Sequence, residues 1–343
     1  MSVEKTREEN LNSLEKSPID TVDLDGAQLP RDLFERFIER TQEESEMLEM
    51  VRVEDLPRKE MGVPKVGVPE LSGETRDEDG NRPETSDAET GVVEYNVTGQ
   101  YYFIKYDLKE DAVENTITSA DEVADLILDH FERAWANDVQ NIGINAGREG
   151  SSIPASLDET FDGWIAIADG ADTDSDRIGI DADGETVDTM PAYVHTDDGT
   201  DAGTPQPVNT ELFNEMIQTV PERFRDPDEQ VFLMSKSQVQ RYHFELTGRE
   251  DGLGVAVLQG DNDVTPFDYD IVGVSYWPDD RAMLINPEQL SYGLYEGLEI
   301  TQITESDKTM DEALHSRNLM EGQFDFQIEE LQSGAIADGI AEP

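Results

Sequence analysis

Apolar residues recur along this chain with two distinct periods, that of helices and that of strands. Leu33, Phe34, Phe37, Ile38, Met47, Leu48 and Val51 fall at helical spacing, with Arg31, Glu35, Arg36 and Glu39 on the opposite face. They predict an amphipathic helix over 30–51, with Pro30 suited to its first turn. Residues 1–28 are polar and aperiodic and read as an extended arm. A second helix is predicted from Ser119, where Ser119 and Glu122 form a capping box. Its stripe is Val123, Ala124, Ile127, Leu128, Phe131, Ala134, Trp135 and Val139. Between the two helices, 61–106 reads as one long hairpin. MGVPKVGVPEL is a Pro- and Gly-punctuated arm, and VVEYNVTGQYYFIKYDL is rich in β-branched and aromatic residues. The intervening SGETRDEDGNRPETSDAETG has no large apolar residue and is expected to form an exposed tip.

From 151 to 289 short strands and helices alternate. FDGWIAIA reads as a turn into a buried segment, and 169–206 as loop with short strand-like pieces. Asn209 is placed to cap a helix carrying Leu212, Phe213, Met216, Ile217 and Val220. VFLMS is a buried strand, Ser235 or Ser237 caps a further helix through Val239, Tyr242, His243 and Leu246, and YDIVGVSYW and RAMLINP are strand-like. Strand signal then dominates in LSYGLYEGLEITQIT and in QFDFQIE, where Phe324, Phe326 and Ile328 alternate with polar residues. The tail SGAIADGIAEP carries little pattern and is expected to be loosely held. No internal repeat is present.

Charge changes this picture most. Against 79 acidic residues stand 25 basic ones, a formal net charge of -54, and hydrophobic residues make up 36% of the chain. In dilute buffer such a chain repels itself; at about 1 M salt the Debye length falls to roughly 3 Å and most of the repulsion is screened. The clear periodicity argues against wholesale disorder. The acidity is spread along the chain rather than gathered in one tail, which favours solvation in concentrated salt over a binder of cationic partners or a DNA mimic. The expectation is a protein of an extreme halophile. No stretch approaches the roughly 18 apolar residues that span a bilayer, the N-terminus lacks the apolar run of a secretory signal, and no membrane association is expected. The absence of cysteine removes disulfides, thiolate nucleophiles and cysteine–zinc sites.

Candidate chemistry is sparse. His130, His195, His243 and His315 are scattered without a ligand pair, and there is no P-loop, dinucleotide fingerprint or nucleophile elbow. Asp172, Asp174 and Asp176 have the spacing that opens a calcium loop. Arg177 stands where that loop needs glycine and Asp183 where it needs glutamate, so they are only candidates for holding a cation. No cofactor is expected, and cations serve as non-specific counter-ions. Asn96-Val97-Thr98 is a glycosylation sequon of low weight. Arg31, Arg36, Arg40, Arg52, Arg58 and Lys59 are interleaved with acids, which predicts no specific nucleic-acid site.

The order of arm, helix, long hairpin, long helix, mixed domain and returning strands resembles the major capsid proteins of tailed viruses, which have the Hong Kong 97 fold. The stretch 221–301 carries the resemblance most specifically. It holds Pro221 to Phe224, Ser235 to Tyr242, Thr247-Gly248-Arg249, Leu258 to Gly260, Tyr269 to Val274, and Leu284-Ile285-Asn286-Pro287 through Gly293. FDGW at 161–164 resembles the entry into that family's axial domain. The resemblance implies an α+β capsid fold. Its parts are an N-terminal arm (1–60), an E-loop (61–106), a peripheral (P) domain with a long spine helix (107–150 and 290–343) and an axial (A) domain (151–289). It implies no enzymatic activity, and self-assembly as pentamers and hexamers into an icosahedral head around double-stranded DNA. Assembly would occur in the host cytoplasm, with the mature protein in the virion. A portal, a separate scaffold (or none) and cement or decoration proteins are the implied partners; the short segment before the first predicted helix is expected to be too short for the fused scaffolding segment of some relatives. Inter-subunit contact is expected from Lys65, Val66, Val68, Tyr95, Tyr101, Phe103, Phe34 and Phe37. Nothing marks a partner for a Lys–Asn crosslink at Lys65. Two other readings are open: an encapsulin-like compartment shell, and an acidic halophilic enzyme with its site in 151–289.

Overall fold

The structure, a computed structural model, describes residues 25–28, 37–42, 45–66, 90–109, 120–170, 179–180, 186–187, 189–200, 202–247, 265–295, 298–303 and 314–343. The chain divides into two compact units. One is Met1–Glu44, Tyr101–Ala136 and Glu296–Gln323; the other is Ser45–Gln100, Asn137–Tyr295 and Phe324–Pro343.

The first unit is a four-stranded antiparallel sheet covered by a helix. Its strands are β1 (Asp25–Gln28), β5 (Tyr102–Lys109), β13 (Glu299–Ile303) and β14 (Leu314–Gly322), in the order β1-β13-β14-β5. Along β5, Tyr102, Ile104 and Leu108 are buried while Phe103, Lys105 and Lys109 are exposed, the alternation of a sheet with one covered face. The cover comes from the long helix Ala120–Asn145, whose stripe of Ile127, Leu128, Phe131 and Trp135 is buried. Phe37 and Tyr102 pack against Trp135 in T-shaped arrangements, with ring centroids 6.1 and 5.5 Å away. Gly322 on β14 leaves room for the indole, because a Cβ there would overlap Trp135 and come within 2.9 Å of Leu298. Glu132 is buried on the same helix and accepts from Arg40 at 3.1 Å. The helix ends at Asn145 rather than Val139, and its capping residue Ser119 lies outside the described residues.

In the second unit five strands lie in the order β10-β9-β11-β16-β8. They are β8 (Ala192–Val194), β9 (Val231–Ser235), β10 (Asp270–Val274), β11 (Ala282–Ile285) and β16 (Ala335–Asp338). Helices Thr210–Thr219 and Lys236–Thr247 are capped as the sequence predicts. Asn209 Oδ1 accepts from Leu212 N at 2.9 Å, and Ser235 Oγ, rather than Ser237, accepts from Gln238 N at 3.2 Å. Leu212, Phe213 and Met216 pack with Phe232, Met234, Leu284, Ala335 and Ala337 in one core. A three-stranded sheet, β15-β12-β2, joins β2 (Arg52–Leu56), β12 (Leu290–Tyr295) and β15 (Phe324–Ile328). Its aromatic face holds Tyr292, Phe324 and Phe326, against which Phe161 and Trp164 pack.

Several expectations are corrected. The helix over 30–51 is not continuous: a helical stretch at 37–42 is followed by Ser45 in an extended conformation, whose hydroxyl caps a new helix, Glu46–Met50. Serine competes for backbone N–H groups and so starts helices more readily than it continues them. The 61–106 hairpin is shorter than expected. β3 (Glu60–Val66) pairs antiparallel with β4 (Thr90–Asn96), while β5 leaves the hairpin and pairs with β14. The turn Val97–Gln100 separates them, with Gly99 at φ +87°, where a side chain would be strained. The tail is not loosely held: Ala335, Ile336, Ala337 and Ile340 are buried, and β16 lies between β11 and β8. Residues 335–338, grouped by sequence with the 290–343 strands, thus pair with strands of the 151–289 segment.

Candidate assembly surface: the hairpin and its root

The β3–β4 ladder runs from Glu60↔Asn96 to Val66↔Thr90, and its tip at 67–89 lies outside the described residues. Its base is fixed to the polar face of β15-β12-β2 by side chains rather than by a backbone ladder. The Tyr95 hydroxyl donates to Ser291 Oγ at 2.7 Å, and Ser291 Oγ donates to the Gln327 carbonyl at 3.1 Å. Gln327 Nε2 donates to the Glu94 carbonyl at 2.7 Å, and Asp325 Oδ2 accepts from Asn96 N at 3.0 Å. Tyr95 joins Leu56, Val93 and Val97 in a small apolar cluster. Gly293 permits this approach, because a Cβ there would stand 2.8 Å from the Tyr95 ring and 2.9 Å from Leu56. Arg52, beside the root, pairs with Glu54 at 2.6 Å and with Glu329.

The expected contact residues separate into three groups. Lys65 and Val66 lie on β3 of the hairpin. Tyr95 and Phe37 are each 1% exposed inside their own unit, so their rings stabilise the subunit and offer no surface to a neighbour. Tyr101 and Phe103 are exposed and stack at 6.3 Å, but Phe103 lies on β5 of the four-stranded sheet, with Tyr101 just before that strand, and neither lies on the β3–β4 hairpin. Phe34, Val68, Asp172, Asp174 and Asp176 lie outside the described residues. Asp325, Gln327 and Ser291 were not anticipated. In QFDFQIE the polar residues alternate as a solvent-facing row would, yet Asp325 and Gln327 are buried beneath β4.

Burial pushes the Tyr95 hydroxyl up to about 12, reinforced by Glu329 and Glu54 and opposed by its bond to Ser291. The neutral form is the one the fold holds. Its contribution is therefore complete below the unfolded value near 10 and is lost as pH rises from there toward 12, by roughly 2–3 kcal/mol for two pK units. Tyr95→Phe is expected to cost about 1 kcal/mol at neutral pH and to flatten this alkaline loss. Urea midpoints of both proteins at pH 9 and above pH 11, in molar salt, test it; parallel alkaline losses would contradict it.

Among the described residues the histidines form no constellation. The His130 ring stacks on Tyr106 at 4.0 Å, and buried His195 places Nε2 2.9 Å from the Pro207 carbonyl. Among the described residues no group of three or more His, Asp or Glu side chains is arranged to hold a metal, and no helix is long and apolar enough to cross a membrane.

No protein-family profile matches the sequence, and no characterised protein sequence matches it either. Solved structures do match. A chain of the satellite phage P4 procapsid, a structure that includes the size determination (Sid) protein, superposes with a TM-score of 0.64 at 13% identity, over 100% of this chain and 99% of that one. A chain of the capsid of the native GTA particle gives 0.58 at 10% identity, over 88% and 91%. One from the capsid of cyanophage A-1(L) gives 0.58 at 14% identity, over 86% and 92%. The chain thus has the α+β fold of chains that form phage capsids.

Proposed function

We propose that this chain is the major capsid protein of a tailed virus, a structural and non-catalytic subunit of the virion head. It self-assembles as pentamers and hexamers into an icosahedral shell around double-stranded DNA. The observation that carries the reading is the superposition on a procapsid chain over essentially the full length of both chains. In Hong Kong 97 terms, the β3–β4 hairpin is the E-loop and Ala120–Asn145 the spine helix. The four-stranded sheet belongs to the P domain, and the five-stranded sheet to the A domain. A portal, a separate scaffold and cement proteins are its expected partners, and it meets DNA without a sequence-specific site.

The host is an extreme halophile in this reading, supported by the net charge of -54 per subunit. Copies in a shell bring those charges together, so assembly requires screening. Sedimentation of the purified protein tests both parts. Particles of megadalton size are expected at about 1 M salt and above, loosening to capsomers or monomers near 0.15 M, where the Debye length grows to roughly 8 Å. Slow-sedimenting monomer at every salt concentration would contradict the shell reading, and particles indifferent to dialysis would contradict the halophilic one.

A further inference from the structure

The outer face of β5 carries two cations that have no ion-pair partner among the described residues. Inward-facing Tyr102, Ile104 and Leu108 turn Phe103, Lys105, Asp107 and Lys109 to the other side. The chain has only eight lysines against 79 acidic residues, and two of the eight stand four apart on this one strand face. With carboxylates in such excess, a cation finds a partner readily; Lys236, for instance, pairs with Glu46 at 2.6 Å. Among the described residues Lys105 and Lys109 make no ion pair. The nearest acid in their row, Asp107, is taken by Arg317, which grips it through Nε at 2.8 Å and Nη2 at 2.9 Å. Next to them Phe103 is 52% exposed and Tyr101 46%, with the two rings stacked 17° from parallel. The face therefore combines cations unpaired among the described residues with a stacked apolar ledge, in a chain whose net charge otherwise repels its own copies.

We propose that this face, built on Lys105, Lys109 and the Tyr101–Phe103 stack, is an interface that takes an acidic segment of a second copy of the chain. The proposal rests on the shell reading above and names one of its contacts. A second copy fits by charge: each brings 54 excess negative charges, and here the face supplies what they lack. The stacked rings provide the apolar anchor at which such contacts are strongest. A nucleic acid fits less well. Two lysines on one strand face are a local pair of charges and not the extended basic stripe that tracks a phosphate backbone.

Two measurements on the full chain in molar salt test this. Assembly of the Lys105→Glu, Lys109→Glu double variant is expected to need at least about tenfold more protein than wild type, as for a loss of about 1.4 kcal/mol per contact. Lys105→Gln, Lys109→Gln should fall between the two, with far-ultraviolet circular dichroism unchanged in both. Carbodiimide coupling of a mixture of isotopically light and heavy copies is expected to join Lys105 or Lys109 to carboxylates of another copy. Wild-type assembly by the charge-reversed variant, or no inter-copy coupling at either lysine, overturns the interface. Unchanged assembly with loss only of bound DNA also overturns it, in favour of a nucleic-acid contact. If wild type forms no particles yet couples through these lysines, the interface stands and the shell reading fails.

Discussion

Trimming the hairpin arms is expected to abolish closed shells while leaving a folded subunit. The cut can be placed from the register: Val63 lies opposite Val93, so joining these two through an Asn-Gly turn removes 64–92 and keeps the root. What remains includes Tyr95, with its bond to Ser291, and the Asp325 and Gln327 bonds to the backbone of Asn96 and Glu94. Among the described residues, β3 and β4 form a sheet of two strands only. An isolated two-stranded ribbon is marginal in water. Its edges, unpaired among the described residues, suit pairing with another chain. Sedimentation and microscopy at molar salt should find monomers or lone capsomers. Closed shells at wild-type yield would remove the hairpin from the assembly account.

Trp164→Ala is expected to cost about 3–5 kcal/mol, as for a large aromatic side chain lost from a packed core. Trp164 has 0% exposure, sits edge-on to Phe326 at 5.0 Å, and donates from Nε1 to the Ser291 carbonyl at 3.0 Å. The space around it is closed: a Cβ at Gly143 would lie 2.7 Å from Phe326 and 2.9 Å from Trp164 itself. With its neighbours held in sheet and helix, the site collapses poorly and the cavity persists. Ser291 also receives Tyr95 from the opposite side of β12, so the loss should loosen the hairpin root as well. Urea unfolding at molar salt, with hydrogen exchange at Asn96 as the local readout, measures both effects. A change below about 1 kcal/mol would mean that this aromatic cluster does not hold the sheet.

Where a single local force decides an element, the sequence is a good guide. Asn209 and Ser235 start helices because a short polar side chain satisfies a free N–H, whatever surrounds it. The stripe from Ile127 to Trp135 and the buried run of FDGWIAIA follow the same logic of one apolar face or one apolar block. The failures lie where tertiary context decides. The pattern does not predict β14, because Ser316 and Asn318, both 0% exposed, occupy positions that an alternating strand would give to apolar residues. The tail looked featureless because its residues are small, yet small residues are what the middle of that sheet admits; a Cβ at Gly334 would stand 2.7 Å from the Leu284 carbonyl. The hairpin root was hidden for the same reason. Nothing local marks Asp325 and Gln327 as anchors, since their partners are backbone atoms of Asn96 and Glu94, far away in the chain.

Electron cryomicroscopy of the protein assembled at molar salt bears most directly on the central claim. Closed icosahedral shells are predicted, built of five- and six-subunit capsomers, with the β3–β4 hairpin of each chain lying on a neighbour. Dispersed monomers, or closed shells in which each hairpin folds back on its own subunit, would contradict it.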